Sequence, residues 1–128
     1  MTTSTLGLFA TVPDKDFFHI FDKGSPDVNK IAAILKYKRT DFSAALDMPL
    51  AKVRLDKPKV PKEMLDRLVE WGVIINLVGT FFKDKQKTIL WFSTSNPMLG
   101  SLPPRDMIRL GRFKKLLKFV QTALEENR

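Results

Sequence analysis

Apolar residues recur at helical spacing along most of the chain. Val28, Ile31, Ala32 and Leu35 form one face, which predicts a helix over residues 27–37 with Lys30 and Lys36 off that face. Ser25 can cap it, with Pro26 at the first helical position. Thr40 offers the next N-cap, and Phe42, Ala45 and Leu46 form an inward face. After a break at Asp47 and Met48, Pro49 opens a second short helix to residue 54, with Leu50 and Val53 inward. The stretch "LDKPKVP", residues 55–61, has two prolines and two lysines and reads as a linker.

The longest pattern starts at Pro61. Met64, Leu68, Trp71, Ile75, Val78 and Phe82 trace one stripe, and Val69, Val73, Ile74 and Leu77 widen it nearly all round. A helix apolar on most sides is central to its fold. Gly72 and Gly79 are seven residues apart and share a face. A glycine costs roughly 1 kcal/mol in a helix interior, so the pair predicts the close approach of another helix. A further helix is expected over residues 84–93, carrying Ile89, Leu90, Trp91 and Phe92. Pro104 starts a short one, and Gly111 interrupts it. The last helix places Phe113, Leu117, Val120 and Leu124 on its core face. Residues 1–26 show no sustained period. "DFFHIFD" is apolar but short, and reads as an arm docked on the body or as a segment swapped between subunits.

These elements predict an all-α fold in one compact domain or two small helical units sharing a core. Hydrophobic content of 44%, with ten Phe and two Trp, suffices for a core and excludes a disordered tail. The absence of cysteine excludes disulfides and thiolate metal sites and fits a reducing cytoplasm. The N-terminal stretch has no basic region and too short an apolar run for a signal peptide. "WGVIINLVGTFF", residues 71–82, is shorter than the roughly 20 residues a membrane span needs.

The net charge of +8 is unevenly spread. Residues 27–60 carry eight basic and four acidic residues, and residues 93–128 carry seven and three. Clustered positive charge suggests nucleic acid or an acidic protein partner, and a solvated surface is the plain alternative.

The stretch "STSNPMLGSLPPRDMI", residues 93–108, separates two helical patterns with three prolines, a glycine and an asparagine. Asn96 before Pro97 favours a turn, Leu99 plugs the core, Gly100 takes a positive φ, and Pro104 starts the next helix. The order Trp91, Asn96, Pro97, Leu99, Gly100, Pro104, Met107, Ile108, Gly111 resembles the toxin-binding domain of the Xre/MbcA/ParS antitoxin family. The resemblance covers roughly residues 61–127. "FSAALDMPLAKV" extends it back through a helix-turn-helix similar to the Xre-type repressor motif. Asp47 stands where that motif commonly has glycine, and Asp tolerates the left-handed turn better than most residues. Ser101 and Leu102 stand where the family commonly has Gly-Arg.

The chain reads as an arm (1–26), which shares nothing with the family, and the resemblance implies a helix-turn-helix unit (27–60) and a small helical toxin-binding domain (61–128) after it. It implies an antitoxin of a type II toxin–antitoxin system. Such a protein neutralises a RES-type toxin, one that consumes NAD or modifies a target with it, by covering the toxin's cleft. It also implies repression of its own operon through DNA, a homodimer, a bacterial cytoplasmic location and no cofactor. The helices from Pro61 onward carry enough apolar residues to fold without the rest.

Lys38, Arg39, Lys52, Arg54, Lys57 and Lys59 are the candidate DNA contacts, suited to phosphates. The second helix lacks an Asn, Gln or central Arg placed for base reading, so the unit either binds DNA or serves packing. Arg105, Arg109, Arg112 and Lys115 are the candidate toxin contacts. If that face is only solvated, the contact moves to the loop around Met98 or to residues 125–128.

Two rival readings, a stand-alone regulator and an enzyme, stand beside this one. A helix-turn-helix regulator without a toxin shares the same first half. Catalysis would have to use His19, the one histidine, which stands between Phe18 and Ile20 without an evident partner. Asp14, Asp16 and Asp22 near His19 could imitate metal ligands. No phosphate-loop or nucleophile-elbow pattern appears, so an enzyme is not expected.

Overall fold

The computed structural model describes residues 16–126. They form an all-α fold with one two-stranded ribbon. The chain starts as an extended segment tied by one carboxylate. Asp16 accepts hydrogen bonds from the Ile20 and Phe21 backbone N–H groups, both at 2.7 Å, and from the Asn76 side-chain amide at 3.0 Å. Strands β1 (Phe21–Asp22) and β2 (Ser25–Pro26) pair antiparallel, with Phe21 opposite Pro26. Lys23 and Gly24 both have positive φ, which makes this a two-residue hairpin of type I′.

Helix α1 (Val28–Leu35) begins at Asp27, whose carboxylate accepts from the N–H groups of Asn29 and Lys30. The expected cap at Ser25 is therefore two residues early, because Ser25 and Pro26 are in β2. Helix α2 (Arg39–Leu46) begins at Lys38. Asp41 caps it, accepting the Lys38 N–H at 2.8 Å, where Thr40 was expected to do so. Asp47 ends it at φ 51°, in the left-handed conformation expected of it.

The second short helix expected from Pro49 to residue 54 is absent. A three-residue 3-10 turn, Leu50–Lys52, stands there. Leu50 is 42% exposed, contrary to its expected inward position, and Val53 alone reaches the core. One buried apolar residue gives no stripe to pack, and an unpacked short helix is marginal in water. A second 3-10 turn, Lys57–Lys59, leads into the central helix.

Helix α3 (Lys62–Phe82) is the axis of the fold, and Met64, Leu68, Trp71, Ile74 and Ile75 are fully buried along it. Phe42 stacks on Trp71, with ring centroids 5.9 Å apart, and Tyr37 meets both rings edge-on. The core therefore runs from α1 and α2 through α3 without a break. The apolar residues after Pro61 do not make a separate core, contrary to the expectation from their pattern. The two glycines of α3 also serve another partner. A Cβ on Gly72 would sit 2.7 Å from the Phe21 ring, and one on Gly79 would sit 2.6 Å from the Phe18 ring. The N-terminal segment, and not a helix, uses the groove they leave.

Helix α4 (Lys85–Ser93) starts at Asp84, whose side chain accepts from the Lys87 N–H. A 3-10 turn, Pro97–Leu99, follows. Then come α5 (Pro104–Arg109) and α6 (Phe113–Glu126). In α6 the buried residues are Phe113, Leu116 and Val120. Leu116 was not expected inside, and Leu117 and Leu124 are half-buried. No helix among the described residues is long and apolar enough to cross a membrane.

Candidate functional site

The corner between α4 and α5 is closed almost entirely by Asn96. Its side-chain oxygen accepts from the Met98 N–H at 2.9 Å, and its backbone N–H donates to the Leu102 carbonyl at 3.1 Å. Its own carbonyl accepts from Leu99 and Ser101, at 2.9 and 3.0 Å. Asn96 thus uses every polar backbone group it has to fix a seven-residue loop. Leu99 is buried, as expected of a core plug, and Gly100 has φ 70°. Ser101 also has a positive φ, 65°, so two successive residues are left-handed. Gly111, at φ 78°, makes the second sharp turn and aims α6 back along the body. Pro104 is buried at the first position of α5, and Trp91 is half-buried on α4.

The four candidate toxin contacts divide into two pairs. Arg105 is internal machinery. Its guanidinium donates to the Leu35 carbonyl at 2.8 Å and to the Lys36 carbonyl at 3.0 Å, which caps the C-terminal end of α1. It also lies 3.8 Å from the Asp41 carboxylate and over the Tyr37 ring. The Tyr37 hydroxyl donates to the Arg105 carbonyl. Burial pushes that hydroxyl above its ordinary range, against the opposing pull of the nearby Arg105 charge. Arg109 pairs with Asp106 of its own helix at 3.2 Å. Arg112 and Lys115 are exposed, and no ion pair holds either among the described residues.

Those two exposed cations edge a hollow of about 340 Å³ whose other walls are Met98, Leu99, Gly100, Met107 and Phe119. Met98 is 76% exposed at its lip. A second, apolar hollow of about 150 Å³ lies further along α6, between Phe81, Phe82 and Trp91 on one side and Phe119, Val120 and Leu124 on the other. Phe119 belongs to both. The sequence points to Met98 only as an alternative contact and gives Phe81 and Phe119 no role. Aromatic residues beside the core face of each helix, Phe81 exposed and Phe119 half-buried, were the available signal.

The candidate DNA contacts Lys38, Lys52, Arg54 and Lys59 are exposed. Arg39 is exposed as well, but its guanidinium donates to the Leu50 carbonyl at 2.8 Å and ties the 3-10 turn to α2. The side chain of Lys57 is outside the described residues. His19 is exposed in a left-handed turn, and its carbonyl accepts from the Lys30 ammonium at 2.9 Å. Asp16, read as an imitation ligand beside it, is occupied with backbone N–H groups and Asn76, and Asp14 is outside the described residues. No group of three metal-ligating side chains gathers among those described.

No protein-family model matches the chain, and neither does any curated protein or solved structure.

Proposed function

We propose that this chain is the antitoxin of a type II toxin–antitoxin pair, and that it neutralises a RES-type toxin by direct protein binding. The observation that supports this reading most is the corner at residues 96–102. Asn96 as its clasp, Leu99 as its plug, Gly100 at positive φ, Pro104 at a helix start and Gly111 at a second turn have the local roles expected of those residues, in the order in which the resemblance has them. Beside that corner, the loop and an α-helix present a hollow walled by Met98, Leu99, Met107 and Phe119 and edged by Arg112 and Lys115, which form no ion pair among the described residues. A built surface of this kind suits a protein partner, whose interface core is apolar and whose rim is charged. In this reading the chain performs no catalysis, needs no cofactor and acts in the bacterial cytoplasm as a homodimer.

The test is co-expression with the gene next to this one. Growth arrest by that gene product, relieved by this chain with recovery of a stoichiometric complex, is the expected outcome. Arrest that persists beside well-expressed antitoxin, with no complex, would refute it.

Autorepression through DNA rests on charge alone. With a 3-10 turn where a recognition helix was expected, residues 47–60 offer no helix to enter a major groove. The exposed cations of residues 38–59 favour phosphate binding, which is steeply salt-dependent and carries little sequence preference. Lys52→Ala with Arg54→Ala should weaken binding to the upstream promoter and flatten its salt slope by about 0.9 for each phosphate left unneutralised. Equal affinity of the variant and the wild type would remove DNA from the proposal.

A further inference from the structure

Resting on that antitoxin reading, we infer that the partner is held in one continuous trough along α6, and that it enters as a segment acidic at one end and apolar at the other. The two hollows adjoin at Phe119, which lines both. From Lys115 to Leu124 the trough follows α6 for about 14 Å at the rise of an α-helix. That length fits roughly ten residues of a partner helix.

The two ends differ in chemistry. At one end Arg112 and Lys115 are exposed and form no ion pair among the described residues, beside a Met98 that is 76% exposed. At the other end Phe81 is 48% exposed over a hollow lined by aromatic and aliphatic side chains. A partner must supply carboxylates to the first and an apolar anchor to the second. Methionine at the lip suits a partner surface because its unbranched chain adapts to irregular shapes.

Charge decides among the occupants. Residues 1–15 of this chain contain one Asp and one Lys, so they offer no acidic end. A second copy, with a net charge of +8, is a poor match for this basic rim, so the homodimer contact of the proposed function belongs on another face. An acidic, apolar segment of the toxin is the complementary choice.

The experiment uses the full chain, two variants and two probes. Arg112→Glu combined with Lys115→Glu reverses the rim, and Phe81→Ser removes the apolar anchor point. All three positions are exposed, and an unchanged melting temperature for both variants verifies that they fold. The first probe is a labelled peptide of roughly ten residues, with glutamates in one half and leucine and phenylalanine in the other, read by fluorescence anisotropy. The second is the toxin from the neighbouring gene.

Each variant should bind both probes at least about tenfold more weakly, and only the rim variant should lose the salt dependence of association. Wild-type affinity of both variants for a toxin that does bind would overturn the trough and leave the antitoxin reading intact. Peptide binding abolished in both variants, beside a wild-type chain that ignores the toxin, would support the trough and overturn that reading. A dimer that both variants dissociate would assign the trough to a second copy. Peptide binding that appears only after removal of residues 1–15 would assign it to that segment. Either result overturns the proposal.

Discussion

Gly79→Ala separates two forces that act on the same atom. In an unencumbered helix interior, alanine in place of glycine stabilises by up to about 1 kcal/mol. Gly79 is in the last turn of α3, where its carbonyl accepts the Lys83 N–H, so the gain there is smaller. Against it stands a steric cost. The new Cβ would lie 2.6 and 3.0 Å from two atoms of the Phe18 ring and 3.2 Å from Phe17. The Phe18 ring is buried and packs edge-on against Phe17 at 4.9 Å, so it has little room to turn away. Inserting a methyl group into a packed core costs about 1–3 kcal/mol. The cost exceeds the gain, and the expected net effect is a loss of about 1–2 kcal/mol. For a chain of this size that lowers the melting temperature by about 4 °C per kcal/mol.

Urea and thermal unfolding followed by circular dichroism measure the loss directly. Phe18→Leu in the same chain should recover part of it, with a coupling of at least about 0.5 kcal/mol in a double-mutant cycle. Gly72→Ala is the internal comparison. It meets the end of the half-buried Phe21 ring at 2.7 Å, which can swing, and the buried Ile20 methyl at 3.2 Å, at a mid-helix position where alanine gains most, so its net effect should stay within about 1 kcal/mol of zero. A Gly79→Ala protein as stable as the wild type or more so, with no coupling to Phe18, would show that the N-terminal segment does not pack on α3.

Gly100→Val should destabilise by about 1–3 kcal/mol through backbone strain alone, since a Cβ there meets no atom within 4 Å; Ser101→Gly should raise the melting temperature, and an unchanged value for both would refute the left-handed pair. Tyr37 is the single tyrosine, so tyrosinate absorbance reports it alone. Its hydroxyl is held protonated in the folded state, so its contribution to stability is full below the ordinary tyrosine range and is lost as pH rises above it; ionisation should appear only with unfolding, and a normal titration of the folded protein would refute the burial. Glu70 is also raised, mainly by burial and against the pull of Arg67 and Lys114, so its carboxylate opposes folding once ionised; Glu70→Gln should stabilise at neutral pH and lose that advantage as pH falls through the carboxylate range. Residues 61–128 alone should melt without cooperativity, because they leave Trp71 without Tyr37 and Phe42; a sharp transition would restore the independent domain.

Most helices were legible because their apolar stripes are long. Over 21 residues of α3 the pattern leaves no alternative period, and the prolines and Asp84 bracket its ends. Local turn chemistry was legible as well, at Asp47 and at Asn96 to Gly100, because left-handed backbone restricts residue type at one position and needs no distant partner. The second short helix failed for the complementary reason. Two apolar residues fit any period, and a helix that short depends on packing that the local sequence does not reveal. The glycine pair does mark a groove, but its occupant is the N-terminal segment and not the helix expected. The corrective signal was Asn76, a polar residue in the middle of an apolar stripe. A buried amide needs a partner, and Asp16 is that partner.

The basic face teaches the same lesson with a functional consequence. Counting cations along α5 and α6 treats each as facing a partner, yet a helix that ends nearby leaves open carbonyls that attract guanidinium donors. The last carbonyls of α1, at Leu35 and Lys36, take Arg105 for this purpose, and Asp106 takes Arg109. Two of the four expected toxin-facing cations are therefore engaged before any partner arrives. Removing Arg105 should cost stability at the α1–α5 junction and reach a partner only through that loss. Reversing Arg112 and Lys115 should leave stability unchanged and reach the partner directly. On the proposed docking, two rim cations would act mainly on the encounter rate, and the affinity would have to come from the apolar side, where Phe81 and Phe119 stand.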